Sequence, residues 1–275
     1  MRSLFSKIAD LLVSGPAWVV LSAFASAGSI LAAKRKNHLQ RKRIESLQLY
    51  GVLKNGTVLH GPFESMRHPK VQAIGGLPFA KIIGSYEAEL HDVIEEICQR
   101  EYDLIIDVGS AEGYYAVGLA LKFPNTKVIA YDTEPRARRL CKEMSEVNGA
   151  ENLEVRAFCS ASELRSIVDG KRALIISDCE SYEKQLFTQA NLKELKNADI
   201  LIETHDFMDI SISAYLKRLF ESSHKVSSIF SLDDIRKAHS YQYKEAESLS
   251  LDEREALFVE RRPGTMEWLW CEAKG

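Results

Sequence analysis

From Leu104 to Cys271 the chain repeats one pattern. A short apolar run is followed by a turn, and then by apolar residues three or four apart. Runs of the first kind suit strands buried on both faces, and the later spacing suits helices with one buried face. The pattern predicts strands at 104–108, 127–131, 153–157, 173–177, 199–202, 225–230 and 266–272. It predicts helices at 114–122, from Pro135 to a stop at Asn148–Gly149, after Ser162–Glu163, and at 213–220. Strand and helix in alternation give an α/β fold with a doubly wound, seven-stranded mixed sheet. The last run, MEWLWCE, alternates as an edge or antiparallel strand does.

Upstream of Leu104 the pattern changes. Residues 11–33 carry no charge and are followed by six Lys or Arg between Lys34 and Arg43. Their length just reaches across a bilayer, but Gly15–Pro16 and four serines interrupt them. Ala17, Leu21, Phe24 and Gly28 recur at helical spacing, so a helical arm that packs on the domain or pairs with a second copy is expected. Read as a membrane span, the stretch would place the following domain in the cytoplasm, on the side of the basic residues; peripheral membrane contact through 11–33 is the other reading. Residues 47–61, LQLYGVLKNGTVLHG, read as a hairpin turning at Asn55–Gly56. A Gly/Pro-rich stretch follows. From Glu87 on, Leu90, Val93, Ile94 and Ile97 mark one helix face. The expected division is an arm at 1–46, a hairpin, lid loop and lead-in helix at 47–99, and a main domain at 100–275 with an insertion at 232–265.

Composition narrows the function. The 275 residues carry a net charge of -3, so no global field favours nucleic acid. The five cysteines are scattered without a C-x-x-C pair, which fits neither a disulfide framework nor a zinc site and suits a reducing compartment.

The chemistry centres on LIIDVGSAEGYYAVG, residues 104–118, where a strand passes through a glycine turn into a helix. That order gathers backbone N–H groups near the helix start, and Gly109 and Gly113 allow a ligand close approach. Asp132 closes the next strand, placed to accept hydrogen bonds from a ribose. The turn lacks both the full G-x-G-x-x-G of dinucleotide sites and the Lys-Ser/Thr of a P-loop. Glu112 would repel a pyrophosphate and tolerate an ammonium or sulfonium. Strands four and five end in SDCESYE and IETHDF, which place Asp178, Glu180, Glu183, Glu203, His205 and Asp206 at the ligand end of the sheet.

DVGSAEGYYAVGLAL resembles motif I of the class I S-adenosylmethionine-dependent methyltransferases, over about residues 100–272. In that family the seventh strand is the reversed one, so the resemblance implies the Rossmann-like methyltransferase fold. DCESYEKQLF with IETHDF is similar to the FkbM-like branch, except that Ser181 stands where that branch has glycine. The resemblance implies S-adenosylmethionine as cofactor and O-methylation of a sugar or natural-product-like small molecule. Expected cofactor-binding residues are Asp107, Gly109, Ser110, Ala111, Glu112, Gly113, Tyr114, Asp132, Cys159, Ser160 and Asp178. Expected substrate-binding residues are Arg67, Tyr86, Glu87, Glu180, Glu203, Asp206 and Arg262. His205, with an ordinary pKa near neutrality, is the candidate general base, and Asp178 its partner. Alternatively Asp178, Glu203, His205 and Asp206 supply ligands to Mg²⁺ or a similar hard cation. Two other readings stand beside this one: an NAD-dependent oxidoreductase using Asp132 on the ribose, and a binding protein that keeps the fold without turnover.

Overall fold

The computed structural model describes residues 17–69, 73–74 and 78–274. Residues 11–16 of the uncharged stretch and most of the Gly/Pro-rich loop at 70–77 lie outside them. The chain divides into a unit at 1–48 and a unit at 49–275. In the first, helix α1 runs Ala17–Glu45. Among the described residues no helix is long and apolar enough to cross a membrane.

The second unit opens with two short helices, α2 (Tyr50–Leu53) and α3 (Phe79–Ile83), then α4 (His91–Ile97). The hairpin expected at 47–61 is absent. Asn55–Gly56 does turn the chain, but it follows helix α2, and the strand-like contact nearby is a single bridge between Thr57 and Arg67. A turn signal fixes only its own residues, and pairing needs two strands of adequate length.

Seven strands then form one sheet: β1 (Leu104–Val108), β2 (Lys127–Tyr131), β3 (Leu153–Arg156), β4 (Ala173–Ser177), β5 (Asp199–Thr204), β6 (His224–Phe230) and β7 (Glu267–Ala273). Their order is β3-β2-β1-β4-β5-β7-β6, parallel from β3 to β5, with β7 antiparallel to both neighbours. This is the doubly wound sheet with a reversed seventh strand of the Rossmann-like methyltransferase fold. Because side chains alternate across a strand, Ile106 and Ile175 pack with Ile200 and Leu216 on one face, while Ile105 and Leu174 pack with Leu201 and Trp268 on the other. Burial on both faces explains why β1 and β4 are apolar apart from Asp107 and Ser177.

Between the strands run α5 (Tyr114–Lys122), α6 (Pro135–Asn148), α7 (Ala161–Val168), α8 (Glu183–Leu186), α9 (Leu192–Leu195) and α10 (Ile212–Phe220). The insertion folds as α11 (Asp234–Ser240) and α12 (Leu251–Phe258). Helix α7 starts one residue earlier than Ser162 suggested. Ser160 caps it, its Oγ accepting from Glu163 N–H at 3.1 Å.

Candidate active site

Among the described residues, two cavities open at the carboxyl ends of the parallel strands. The first, about 440 Å³, is bounded by the ends of β1, β2, β3 and β4. That volume lies within the range of small-molecule sites. Of the expected cofactor residues, Gly109, Ala111, Asp132, Cys159 and Asp178 line it. Asp132 accepts from Ala111 N–H and Glu134 N–H, each at 2.8 Å. Two bonds leave a carboxylate with acceptor capacity for a ribose diol. Phe158 and Tyr182 flank one end, ring centroids 5.5 Å apart.

Six expected cofactor residues lie elsewhere. Ser160 is occupied as a helix cap. Tyr114 is buried in a cluster with Phe63 and Tyr86. Gly113 packs on Cys141, and Ser110 is buried with its N–H given to Tyr131 O at 3.0 Å. Glu112 does not face a ligand: Lys81 Nζ (2.5 Å) and Ile74 N–H (2.9 Å) take its two oxygens, and the same ammonium lies over the Tyr86 ring. It is a buried strut between the glycine turn and α3. Asp107 is buried behind Val108 and Gly109, which do line the cavity, and among the described residues its Oδ2 has no hydrogen-bond partner. Burial, then the charge of Asp178, pushes its carboxyl up to about 8.

The second cavity, about 180 Å³, brings Tyr86, Glu87, Glu180, Glu203, His205 and Arg262 together. At its base the His205 ring is gripped from both sides, Nδ1 at 2.6 Å from Glu183 Oε1 and Nε2 at 3.3 Å from Asp178 Oδ1. Glu203 and Glu180 each place an oxygen 3.7 Å from Nε2. Burial lowers the His205 pKa, but the bonds to Asp178 and Glu183 outweigh it and raise it to about 10. The ordinary pKa expected from the sequence therefore does not hold. Asp178 is raised by burial yet falls net below its usual range through His205, while burial and the Asp178 charge push Glu203 well up. The Arg262 guanidinium opposes that rise.

Arg262 is a three-way tie, bonded to Glu203 (2.5 Å), Glu87 (2.6 Å) and Glu260 (3.0 Å). Lys237, fully buried on α11, reaches Glu260 at 2.5 Å, and Tyr115 donates to Glu87. The insertion is thus fastened to the segment before α4 and to the end of β5. Two expected substrate residues lie outside. Arg67 donates to Val147 O at the end of α6, and Asp206 accepts from Ser213 N–H at 2.9 Å in the first turn of α10. Asp206 is also absent from the cluster able to share a cation, which is Asp178, Glu203 and His205.

The turn that delivers Asp178 and Glu183 holds Glu180 and Ser181 at φ +52° and +75°. Only glycine adopts such angles without strain. Ser181→Gly is expected to be neutral to stabilising, by up to about 1 kcal/mol, since relief of strain exceeds the added freedom of the unfolded chain. Chemical denaturation checks this, and a loss beyond that size would mean the Ser181 side chain has a role of its own.

The protonation pattern predicts a pH response. His205, raised from 6.5 to about 10, stabilises fully below 6.5, and that contribution is lost as pH rises through 10. Asp107, raised to about 8, acts in the same direction. The melting temperature in the presence of a chelator is expected to fall steadily between pH 6.5 and 10. A flat profile there would mean that Asp178 and Glu183 do not hold the ring as described.

No family model matches the chain, and no curated protein matches it. Among solved structures it is similar to a precorrin-6y C5,15-methyltransferase from Geobacter metallireducens GS-15, at 11% identity over 67% of this chain and 89% of the other, TM-score 0.43. It is similar to an rRNA methylase from Streptococcus thermophilus, at 15% identity over 67% and 96%, TM-score 0.45. It also matches 38% of a tRNA (uracil-54, C5)-methyltransferase from Pyrococcus abyssi in complex with S-adenosyl-L-homocysteine, at 15% identity over 68% of this chain, TM-score 0.40. Likeness at this level carries neither substrate nor chemistry across.

Among the lining residues missed in the sequence are Tyr182, Glu134 and Ile74 at the first cavity, and Phe207, Glu260 and Met266 at the second. Glu134 was findable, since it precedes Pro135 at a helix start.

Proposed function

We propose that the protein is an S-adenosylmethionine-dependent methyltransferase of the FkbM-like kind, acting on a hydroxyl of a small molecule such as a sugar or natural product. One observation carries the reading: the two cavities meet at a single point. Glu180 lines both, and Asp178, on the wall of the first, pairs with His205 at the base of the second. A donor held in one and an acceptor held in the other would meet there, as transfer between them requires.

The cofactor, when bound, supplies an electrophilic methyl group on a sulfonium. The first cavity suits it: Asp132 would take the ribose hydroxyls, Phe158 and Tyr182 the adenine, and Asp178 the ammonium. On the acceptor side, Arg262 fixes Glu87 and Glu203, and His205 Nε2 points between Asp178 and Glu203. His205 takes the hydroxyl proton once its own has left, so turnover rises with pH through the alkaline range.

A second reading rests on Asp178, Glu203 and His205 offering three ligand atoms within 4.8 Å of one another. A hard divalent cation there would acidify the hydroxyl. It would bind more tightly as pH rises, because His205 and Glu203 must release protons to it.

Calorimetric titration with S-adenosylmethionine and with NAD, each with and without Mg²⁺, tests both. Micromolar binding of the first alone supports the methyltransferase, and binding of NAD instead overturns it. Mg²⁺ binding with proton release selects the second reading.

A further inference from the structure

The loop after β5 leaves His205 and presents Phe207, Met208 and Ile210 to solvent, 54%, 57% and 82% exposed. It is a formed turn. His205 O accepts from Met208 N–H at 2.8 Å and Asp209 N–H at 3.2 Å, and the Asp209 carboxylate is held by Ser211 and, at 2.9 Å, by Lys184. Three large apolar side chains in four positions are therefore held outward by the backbone. Phe207 lines the acceptor cavity, and Phe158, half exposed, lines the cofactor cavity, so both mouths have apolar edges. Exposed apolar groups gathered at a site mouth mark a contact surface.

Charge indicates which surface. Residues 1–48 carry a net charge of +6 and residues 49–275 a net charge of −9. An acidic body alone is repelled by anionic headgroups, so attraction must come from the arm. In α1 the uncharged residues 17–33 lead into the exposed Lys34, Arg35, Lys36, Arg41, Lys42 and Arg43. Seventeen helical residues reach about 25 Å, short of the roughly 30 Å bilayer core. That basic cluster is suited to electrostatic attraction by the headgroups of an anionic bilayer.

We infer that the protein docks on an anionic bilayer, with the arm supplying electrostatic attraction and the Met208–Ile210 loop entering the headgroup layer. On the methyltransferase reading above, which this extension needs, the acceptor hydroxyl belongs to a membrane-borne amphiphile. The docking itself does not depend on that reading.

The test is co-sedimentation of the full chain with vesicles of phosphatidylcholine, and of equal parts phosphatidylcholine and phosphatidylglycerol. Binding is expected only to the anionic vesicles, and it should weaken with salt. Met208→Ser/Ile210→Ser should lower affinity at least about tenfold, and Lys34→Glu/Arg35→Glu/Lys36→Glu should remove the anionic preference. Thermal melts and S-adenosylmethionine titration of both variants should match the parent. Absence of binding by the parent, or full affinity in the loop variant, overturns the inference. Vesicle binding by a protein that fails to bind S-adenosylmethionine would sink the methyltransferase reading and leave the docking intact.

Discussion

His205→Ala is expected to reduce turnover by roughly 10²–10⁴-fold, the range for loss of a general acid–base group, while S-adenosylmethionine affinity stays nearly unchanged. The separation follows from position: His205 lines the acceptor cavity and is not part of the cofactor cavity. Loss of cofactor affinity, measured by calorimetry, would show that the role assigned to it is wrong. The alanine variant also leaves the fully buried Glu183 without its imidazole partner, so stability should fall as well. Glu183→Gln separates the two effects. It keeps a hydrogen-bonding group at Nδ1 but removes one of the two carboxylates that raise the ring's pKa. The rising limb of the pH–rate profile should then move toward lower pH. An unmoved limb would mean that a group other than His205 takes the proton.

Gly109→Ala is expected to cost about 3–5 kcal/mol, the sum of backbone strain and overpacking, and to lower the melting temperature by on the order of 10 °C. Gly109 has φ +90°, and an added Cβ would lie 1.6 Å from the carbonyl oxygen of Asp178. Beside it, Asp178 N–H bonds Val108 O at 2.9 Å, which holds the two strand ends close together. The substitution therefore separates β1 from β4 where the two cavities meet, and cofactor affinity should fall with stability. Gly149→Ala is the control. Its φ is +66°, but nothing lies within 4 Å of the added atom, so it should lose only about 1 kcal/mol. Equal losses at the two positions would show that strain alone, without the clash, sets the cost.

The strands were legible because their signal is local. LIIDV and ALIIS are short, apolar and ended by turn residues, and their boundaries match the sheet. The acids at the strand ends were legible for the same reason. What the sequence could not show is which way each points. Asp206 and Glu203 flank His205 alike, yet one serves the first turn of α10 and the other the cavity. Glu112 looked like a ligand contact because its partner Lys81 lies 31 residues away. The supposed hairpin failed for the opposite reason, a strong local turn with no strand to pair.

The sheet order also sets a timetable for synthesis. Every residue around the first cavity has been made by Tyr182, and the parallel strands through β5 can pair as they emerge. The second cavity needs Arg262 and Met266, and β6 joins the sheet only through β7. A nascent chain released before residue 262 would therefore carry a nearly complete cofactor half and no acceptor half. On the methyltransferase reading, such a chain would have the donor cavity without the acceptor cavity.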